Sequence, residues 1–101
     1  MKRLEANICG RVQGVSFRYY TQVEASQLEL TGWVRNEPDG SVSVVAEGTE
    51  PHLEKFLTFL ERGPRSARVR QVSSSWKKAS REFKDFSIRW AWTVVEYISP
   101  G

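Results

Sequence analysis

The stretch Gly-Arg-Val-Gln-Gly-Val-Ser-Phe-Arg at residues 10–18 decides how the rest of this sequence is interpreted. Apolar residues alternate ahead of it and a helical pattern follows from Ser16, so it predicts a strand, a tight loop and a helix N-terminus. Such a loop can point several backbone N–H groups at one anion, where the helix end adds partial positive charge. Gly14 can adopt a positive φ close to a ligand, and Arg18 adds a permanently charged fork. The stretch predicts a phosphate site, although a glycine-tightened turn beside a surface arginine fits the same residues.

The segments on either side of this loop predict five strands and two helices. Strands are expected at residues 2–12, 33–36, 41–47, 67–76 and 86–90, and helices at residues 16–30 and about 50–62. The second helix has the clearest apolar face, formed by Leu53, Phe56, Leu57 and Leu60. Gly32 is expected to end the first helix, and Thr49 to cap the second. The order predicts an α+β fold of the ferredoxin-like βαββαβ type, with an antiparallel sheet and two helices on one face.

The composition is ordinary for a single globular domain. The chain has 101 residues, of which 40% are hydrophobic and 27% are charged, enough for one modest core. No apolar run approaches the ~20 residues that cross a bilayer, and no apolar segment follows the basic N-terminal residues as it does in a secretion signal. Cys9 is the one cysteine, so no internal disulfide can form. We therefore expect a monomer in the reducing cytoplasm, without membrane contact.

Basic residues are concentrated between residues 62 and 84. This segment has eight lysines and arginines and one acid, Glu82, within a chain of net charge +3. One interpretation is a solvated strand and loop, and another is a surface that attracts an anionic substrate or a nucleic acid. No base-reading motif accompanies the charge, so nucleic-acid binding is not expected.

Residues 10–18 also resemble the first signature of the acylphosphatase family. The second signature of that family is matched downstream by Gly32-Trp33-Val34-Arg35-Asn36, Asp39-Gly40-Ser41-Val42 and Glu47-Gly48. The resemblance runs from about residue 3 to residue 90. It implies a ferredoxin-like fold and a small hydrolase that cleaves carboxyl-phosphate bonds without a metal or other cofactor.

The resemblance also implies a role for each candidate site residue. The loop would hold the phosphoryl group, and the residues concerned are Gln13, Gly14, Val15, Ser16, Phe17 and Arg18. Arg18 would pair with the phosphoryl oxygens, and Asn36 would position the attacking water. An amide suits that task because it accepts a hydrogen bond from water and stays uncharged beside an anion. By its context alone, Asn36 also fits an ordinary residue before the turn at residues 37–40.

An acyl phosphate substrate suits a chain with few reactive side chains. We find no Cys–His pair and no Ser–His–Asp set, and the lone histidine, His52, is a poor candidate base in the first turn of the second helix. The Lys-Ser/Thr pair of a nucleotide-binding P-loop is absent after Gly14, and no ligand set indicates a metal. The leaving group of an acyl phosphate is a carboxylate whose acid has a pKa of about 4–5, so it departs without a general acid.

The sequence therefore predicts an acylphosphatase that releases a carboxylate and inorganic phosphate. One alternative is a non-enzymatic ferredoxin-like module that binds an anion or RNA. Another is an acylphosphatase-like domain that senses phosphate or works within a larger enzyme. Residues 1–90 are expected to form the domain, and residues 91–101 an apolar C-terminal extension whose role the pattern does not predict.

Overall fold

The computed structural model describes residues 1–90, in which five strands and two helices follow the predicted order. The strands are β1 (Lys2–Arg11), β2 (Thr31–Asn36), β3 (Val42–Gly48), β4 (Arg68–Lys78) and β5 (Phe86–Arg89), and the helices are α1 (Phe17–Gln27) and α2 (Glu50–Arg62). The predicted extension at residues 91–101 lies outside the described residues. No helix of the described part is long and apolar enough to cross a membrane.

The five strands form one sheet in the order β4-β1-β3-β2-β5. The first four pair antiparallel as predicted, but β5 runs parallel to β2, so the sheet is mixed rather than wholly antiparallel. The direction of β5 follows from its connection. Residues 79–85 pass the end of β3 and then the start of β2 before β5 begins. β5 therefore starts at the end of the sheet where β4 stops and runs in the direction of β2. The predicted ferredoxin-like fold is confirmed.

Both helices pack on one face of the sheet, and the alternation along β1 shows which face it is. Leu4, Ala6 and Ile8 are buried beneath the helices, while the residues between them point to the uncovered face. The rings of Phe56 from α2 and Phe86 from β5 meet edge to face, with 5.8 Å between their centroids. Burial of one such large apolar side chain contributes about 1.5–3 kcal/mol. Because the buried core residues lie between this face and the helices, this face supplies most of the hydrophobic stabilisation.

The helix α2 confirms its predicted face and its start. Three of the four predicted residues, Leu53, Phe56 and Leu60, are fully buried, and Leu57 is partly buried against the same core. Thr49 precedes the helix, but its side chain makes no capping hydrogen bond. The apolar face, rather than the cap, therefore holds this helix on the sheet.

The helix α1 is shorter than predicted, and Gly32 does not end it. The helix stops at residue 27, and the chain leaves it through Glu29, which adopts φ 58°. Gly32 lies in β2, where a Cβ would overlap the Val45 carbonyl of the neighbouring strand. The role of this glycine is close strand approach, since only a residue without a side chain fits there.

Candidate active site

The loop between β1 and α1 presents a concave backbone without a side chain in its way. Gly14 and Ser16 both adopt left-handed conformations, with φ 73° and 62°. Successive turns of this kind direct backbone N–H groups toward one point and form anion-binding concavities. A Cβ built on Gly14 would meet no heavy atom within 4 Å, so the backbone there is open to a ligand. Ser16 is not glycine, and its strained conformation is of the kind found at binding sites.

The N-terminus of α1 leaves its first N–H groups without acceptors in the helix. Ser16 occupies the predicted N-cap position, but its side chain makes no capping hydrogen bond. The first backbone bond of the turn runs from the Tyr20 N–H to the Ser16 carbonyl, at 3.1 Å. The N–H groups of Phe17, Arg18 and Tyr19 therefore remain available to an anion at the positive end of the helix.

Arg18 places a cation beside these N–H groups. Within residues 1–90 it forms no ion pair, and its guanidinium carbon lies 4.3 Å from the centroid of the Trp90 ring. Burial lowers the pKa of Arg18, but a guanidinium stays charged throughout the physiological range. The described part of the chain thus contains no carboxylate that neutralises the charge at the loop.

Gln13 connects the loop to the turn between β2 and β3. Its side-chain Nε2 donates to the carbonyl oxygens of Glu37 at 2.8 Å and Ser41 at 2.9 Å. These two bonds bring the loop close to the end of β2 that carries Asn36. They also occupy the side-chain amide of Gln13, so only its backbone N–H remains for an anion.

The other predicted loop residues also offer their backbone rather than their side chains. Phe17 is buried in the core, and Val15 packs partly against it. The Val15 carbonyl accepts a hydrogen bond from the Ser66 hydroxyl at 2.8 Å, which fixes the orientation of that peptide. The structure therefore leaves Arg18 as the charged side chain of the loop and the peptide N–H groups as its neutral donors.

Asn36 ends β2 with a buried oxygen that has no hydrogen-bond partner among the described residues. It pairs with Val42 in the sheet, and its side-chain Oδ1 is shielded from solvent. Leaving such an acceptor unpaired costs about 1–3 kcal/mol. The following turn does not use this oxygen, because Asp39 accepts the hydrogen bonds from the N–H and hydroxyl of Ser41, at 2.9 and 2.6 Å. Asp39, rather than Asn36, therefore makes the side-chain hydrogen bonds of this turn.

The end of β5 arrives at the same edge of the sheet. Arg89 pairs with Arg35, so the next residue, Trp90, leaves the sheet at the level of Asn36. The loop, the first turn of α1 and this segment enclose a concavity of about 330 Å³. Its lining consists of Val12, Gly14, Ser16, Phe17, Arg18, Tyr19, Ile88 and Trp90. Sequence reasoning missed Tyr19 and Trp90, because no motif marks either one and only the chain path brings them to the loop.

A larger concavity, of about 550 Å³, lies on the uncovered face of the sheet. Serines from β3 and β4 line it together with Asn7, Trp33 and Arg35. The Asn7 amide donates to the hydroxyls of Ser41 and Ser43, at 2.9 and 3.2 Å. Cys9 also lies on this face and contacts Asn7. Several polar groups of the larger concavity bond one another, including Asn7 with Ser43 and Arg35 with Glu37. The smaller concavity holds the loop N–H groups and the guanidinium that lack an acidic partner within residues 1–90, so it is the candidate active site.

Comparison with known proteins identifies the family. The acylphosphatase family model matches residues 4–88, which include the loop, Arg18 and Asn36. This chain belongs to the acylphosphatase family. It is 49% identical over 88 residues to the acylphosphatase of Salinibacter ruber, covering 87% of this chain and 93% of that one. The acylphosphatase of Pasteurella multocida is also 49% identical, over 82% of this chain and 92% of its own length.

Solved acylphosphatase structures share the fold described above. The crystal structure of acylphosphatase from Bacillus subtilis superposes with a TM-score of 0.85 at 37% identity, covering 88% of this chain and 99% of that one. The structure of an acylphosphatase from Coxiella burnetii gives a TM-score of 0.81 at 33% identity, covering 87% of this chain and 92% of that one. The predictions of the family and of an enzyme are confirmed, which sets aside the non-enzymatic alternative.

Half of the eight lysines and arginines of the basic segment lie on β4, at one edge of the sheet. They are Arg68, Arg70, Lys77 and Lys78, which are all exposed on an edge strand. Lys77 pairs with Glu5 at 2.8 Å. This placement fits the solvated interpretation of the charge, while nucleic-acid binding stays a matter for experiment.

Proposed function

We propose that this member of the acylphosphatase family hydrolyses acyl phosphates to a carboxylate and inorganic phosphate, using Arg18 and Asn36. The buried, unpaired Oδ1 of Asn36 is the observation that carries the proposal. It lies at the end of the sheet where the anion-binding loop also lies, together with Arg18, which forms no ion pair within residues 1–90. A water molecule and a phosphoryl group together would satisfy these unpaired groups.

The phosphoryl group binds in the loop, with its oxygens accepting N–H bonds from Gln13 through Arg18. The guanidinium of Arg18 pairs with the same oxygens, and its planar fork matches their geometry. The negative charge on these oxygens redistributes in the transition state, when the bonds to the entering and leaving oxygens are both partial. Donors fixed in the loop stabilise that charge without reorganising, so the backbone is part of the catalytic machinery.

Asn36 acts on the attacking water. In the structure this Oδ1 is shielded, and Asn36 does not line the concavity, so the amide turns toward the loop when substrate binds. Its Oδ1 then accepts a hydrogen bond from the water and directs a lone pair of the water oxygen toward phosphorus. As the new P–O bond forms, the bond from phosphorus to the acyl oxygen breaks and its electron pair leaves on the carboxylate. One proton of the water stays on the new phosphate oxygen, and the second passes to another phosphate oxygen or to solvent. Because a carboxylate of pKa about 4–5 leaves readily, positioning suffices and no general acid is required.

Several expectations accompany this proposal and remain predictions. Among residues 1–90 no group of three His, Cys, Asp or Glu side chains could hold a metal, so we expect full activity in EDTA. We also expect a monomer, a cytoplasmic location, and no binding to nucleic acid or membranes. Sedimentation and binding to RNA at low salt would test the oligomeric state and the nucleic-acid prediction.

The first experiment is hydrolysis of benzoyl phosphate in EDTA by the wild type and two variants. Arg18→Ala should reduce kcat by about 10³-fold or more and weaken inhibition by inorganic phosphate, because it removes the charge on the phosphoryl group. Asn36→Ala should reduce kcat by about 10²–10³-fold while phosphate inhibition changes little. Arg62→Ala, at an exposed arginine in the last turn of α2, is the control for loss of charge. Turnover of Asn36→Ala at the wild-type rate would contradict the water-positioning role.

A further inference from the structure

Exposed aromatic side chains are concentrated around the anion-binding loop. Tyr19 is 57% exposed, Tyr20 is 45% exposed and Trp90 is 62% exposed. In the described part of the chain, the other large apolar side chains with such exposure are Met1 and Trp76. The rings of Tyr19 and Tyr20 pack edge to face, with 5.4 Å between centroids. Apolar surface kept exposed beside a binding site indicates a ligand that covers it.

A phosphoryl group alone does not account for these aromatic walls. Phosphate is bound by N–H groups and a cation, and both are on the loop side of the concavity. The remaining side chains of the lining are aliphatic or aromatic, and they are Val12, Phe17, Tyr19, Ile88 and Trp90. The volume of about 330 Å³ falls within the ~300–1,000 Å³ typical of sites for whole small molecules. The concavity therefore has room for the part of the substrate attached to the phosphoryl group.

We infer that Trp90 and Tyr19 bind the acyl group and that the preferred substrates are acyl phosphates with an aromatic acyl group. This inference rests on the proposed hydrolysis at the same loop. The Trp90 ring contacts the Arg18 guanidinium on one side, yet most of its side chain stays exposed. A flat apolar group attached to a phosphoryl held by Arg18 reaches this ring and packs on it. A short aliphatic acyl group such as acetyl is too small to cover the same surface.

The two aromatic residues have different second roles, which makes them separable. Trp90 also contacts Arg18, so its removal affects the cation as well as the acyl group. Tyr19 forms no hydrogen bond with the loop within the described residues, and it contributes its ring to the wall. A change in the preference between two acyl groups, rather than a change in overall rate, is thus the readout that reports acyl binding.

The test compares kcat/KM for benzoyl phosphate and acetyl phosphate, using the full 101-residue chain. We expect Trp90→Ala to lower the benzoyl-to-acetyl ratio about fivefold and Tyr19→Ala about threefold, which is the range of one aromatic contact. Trp90→Tyr should restore most of the ratio. Trp76→Ala, at an exposed tryptophan of β4 on another part of the surface, should leave it unchanged. Inhibition of Tyr19→Ala by inorganic phosphate should match the wild type, showing an intact loop.

Two results separate this inference from the proposed function. Equal losses for both substrates in Trp90→Ala, with no change of ratio in Tyr19→Ala, would mean that Trp90 acts only through Arg18. That result would overturn the acyl-group site and leave the hydrolysis standing. Absence of hydrolysis of either substrate by the folded wild type would overturn the proposed function itself, and the inference with it.

Discussion

The buried carboxylate of Glu47 and the shielded amide oxygen of Asn36 lie at opposite ends of the sheet, and their hydrogen-bond environments are opposite. Glu47, at the end of β3, is 2% exposed and its carboxylate accepts four hydrogen bonds. The donors are Arg3 Nε at 2.8 Å, Ser80 N at 2.8 Å, Ser80 Oγ at 2.9 Å and Arg81 N at 2.8 Å. Asn36, at the end of β2, has a shielded Oδ1 with no partner among residues 1–90.

This difference fits a structural role for Glu47 and the proposed catalytic role of Asn36. A buried unpaired oxygen is not by itself a mark of function, because Thr21 Oγ1 in α1 also lacks a partner within residues 1–90. The Glu47 carboxylate holds residues 79–85 against the sheet, and that connection leads the chain to β5. Its bonds are all made within the folded chain, so they contribute to stability. The Asn36 oxygen makes no such bond within residues 1–90, and under the proposed function a bound water would supply its missing partner.

Among the changes that compare Glu47 with Asn36, the largest effect should come from Asn36→Asp, which places a negative charge at the anion end. We expect kcat/KM for benzoyl phosphate to fall by about 10³-fold, and inhibition by inorganic phosphate to weaken strongly, because the carboxylate repels both anions. The thermal midpoint should also fall, because a carboxylate with one shielded and unpaired oxygen is destabilising. Asn36→Ala is the matched variant, since it removes the same amide without adding charge and should retain phosphate inhibition. Undiminished phosphate inhibition in Asn36→Asp would mean that this side chain lies away from the bound anion.

At the other end, Glu47→Gln should destabilise the protein and spare the reaction. We expect a loss of about 2–3 kcal/mol in the free energy of unfolding, because the amide cannot accept all four bonds. Denaturant unfolding measures this loss, and kcat per folded molecule should stay within about twofold since the site is distant. Glu82→Gln is the control, because this exposed residue also contacts Arg3, at 3.4 Å, yet should change stability by no more than about 0.5 kcal/mol. Equal losses in the two variants would show that Glu47 is no special anchor.

Gly14→Ala should combine a small loss of stability with a larger loss of activity. The residue adopts φ 73°, so a side chain there costs about 1 kcal/mol in the free energy of unfolding. The added methyl group meets no protein atom within 4 Å, but it occupies the space where the phosphoryl group approaches. We expect KM for benzoyl phosphate and the inhibition constant of phosphate to rise about tenfold, by steric exclusion worth about 1.4 kcal/mol. Wild-type phosphate affinity would place the anion elsewhere.

The smallest predicted effect is a dependence of stability on pH. Burial raises the pKa of Glu47, but the N–H groups of Ser80 and Arg81 and the other donors lower it more, so it lies below its ordinary value of 4.5. The group therefore stabilises the fold above its unfolded pKa, and this contribution is lost as pH falls through the folded pKa. Thermal unfolding should show a constant gap between wild type and Glu47→Gln above about pH 5 that narrows in more acidic buffer. A difference in stability between the two proteins that widens toward acid pH would mean that folding raises the pKa of Glu47 rather than lowering it.

Much of the fold follows from local pattern. The alternation of β1, the apolar face of α2 and the loop between β1 and α1 are all set by residues close in sequence, and they were predicted. The direction of β5 was not predicted, because it depends on a connection that crosses the sheet. The role of Gly32 was also missed, since its constraint comes from Val45 on another strand.

The sequence by itself determined the family, the element order and the two residues proposed to act on phosphate and water. These are features of residue type and spacing along the chain. Only the tertiary structure decided that the Gln13 side chain bonds the β2–β3 turn and that Trp90 contacts Arg18. It also decided that the Asn36 oxygen has no partner within residues 1–90. The physical reason is that such contacts join residues far apart in sequence. Whether folding brings a partner close to a given side chain is therefore not visible in the residues around it in the sequence.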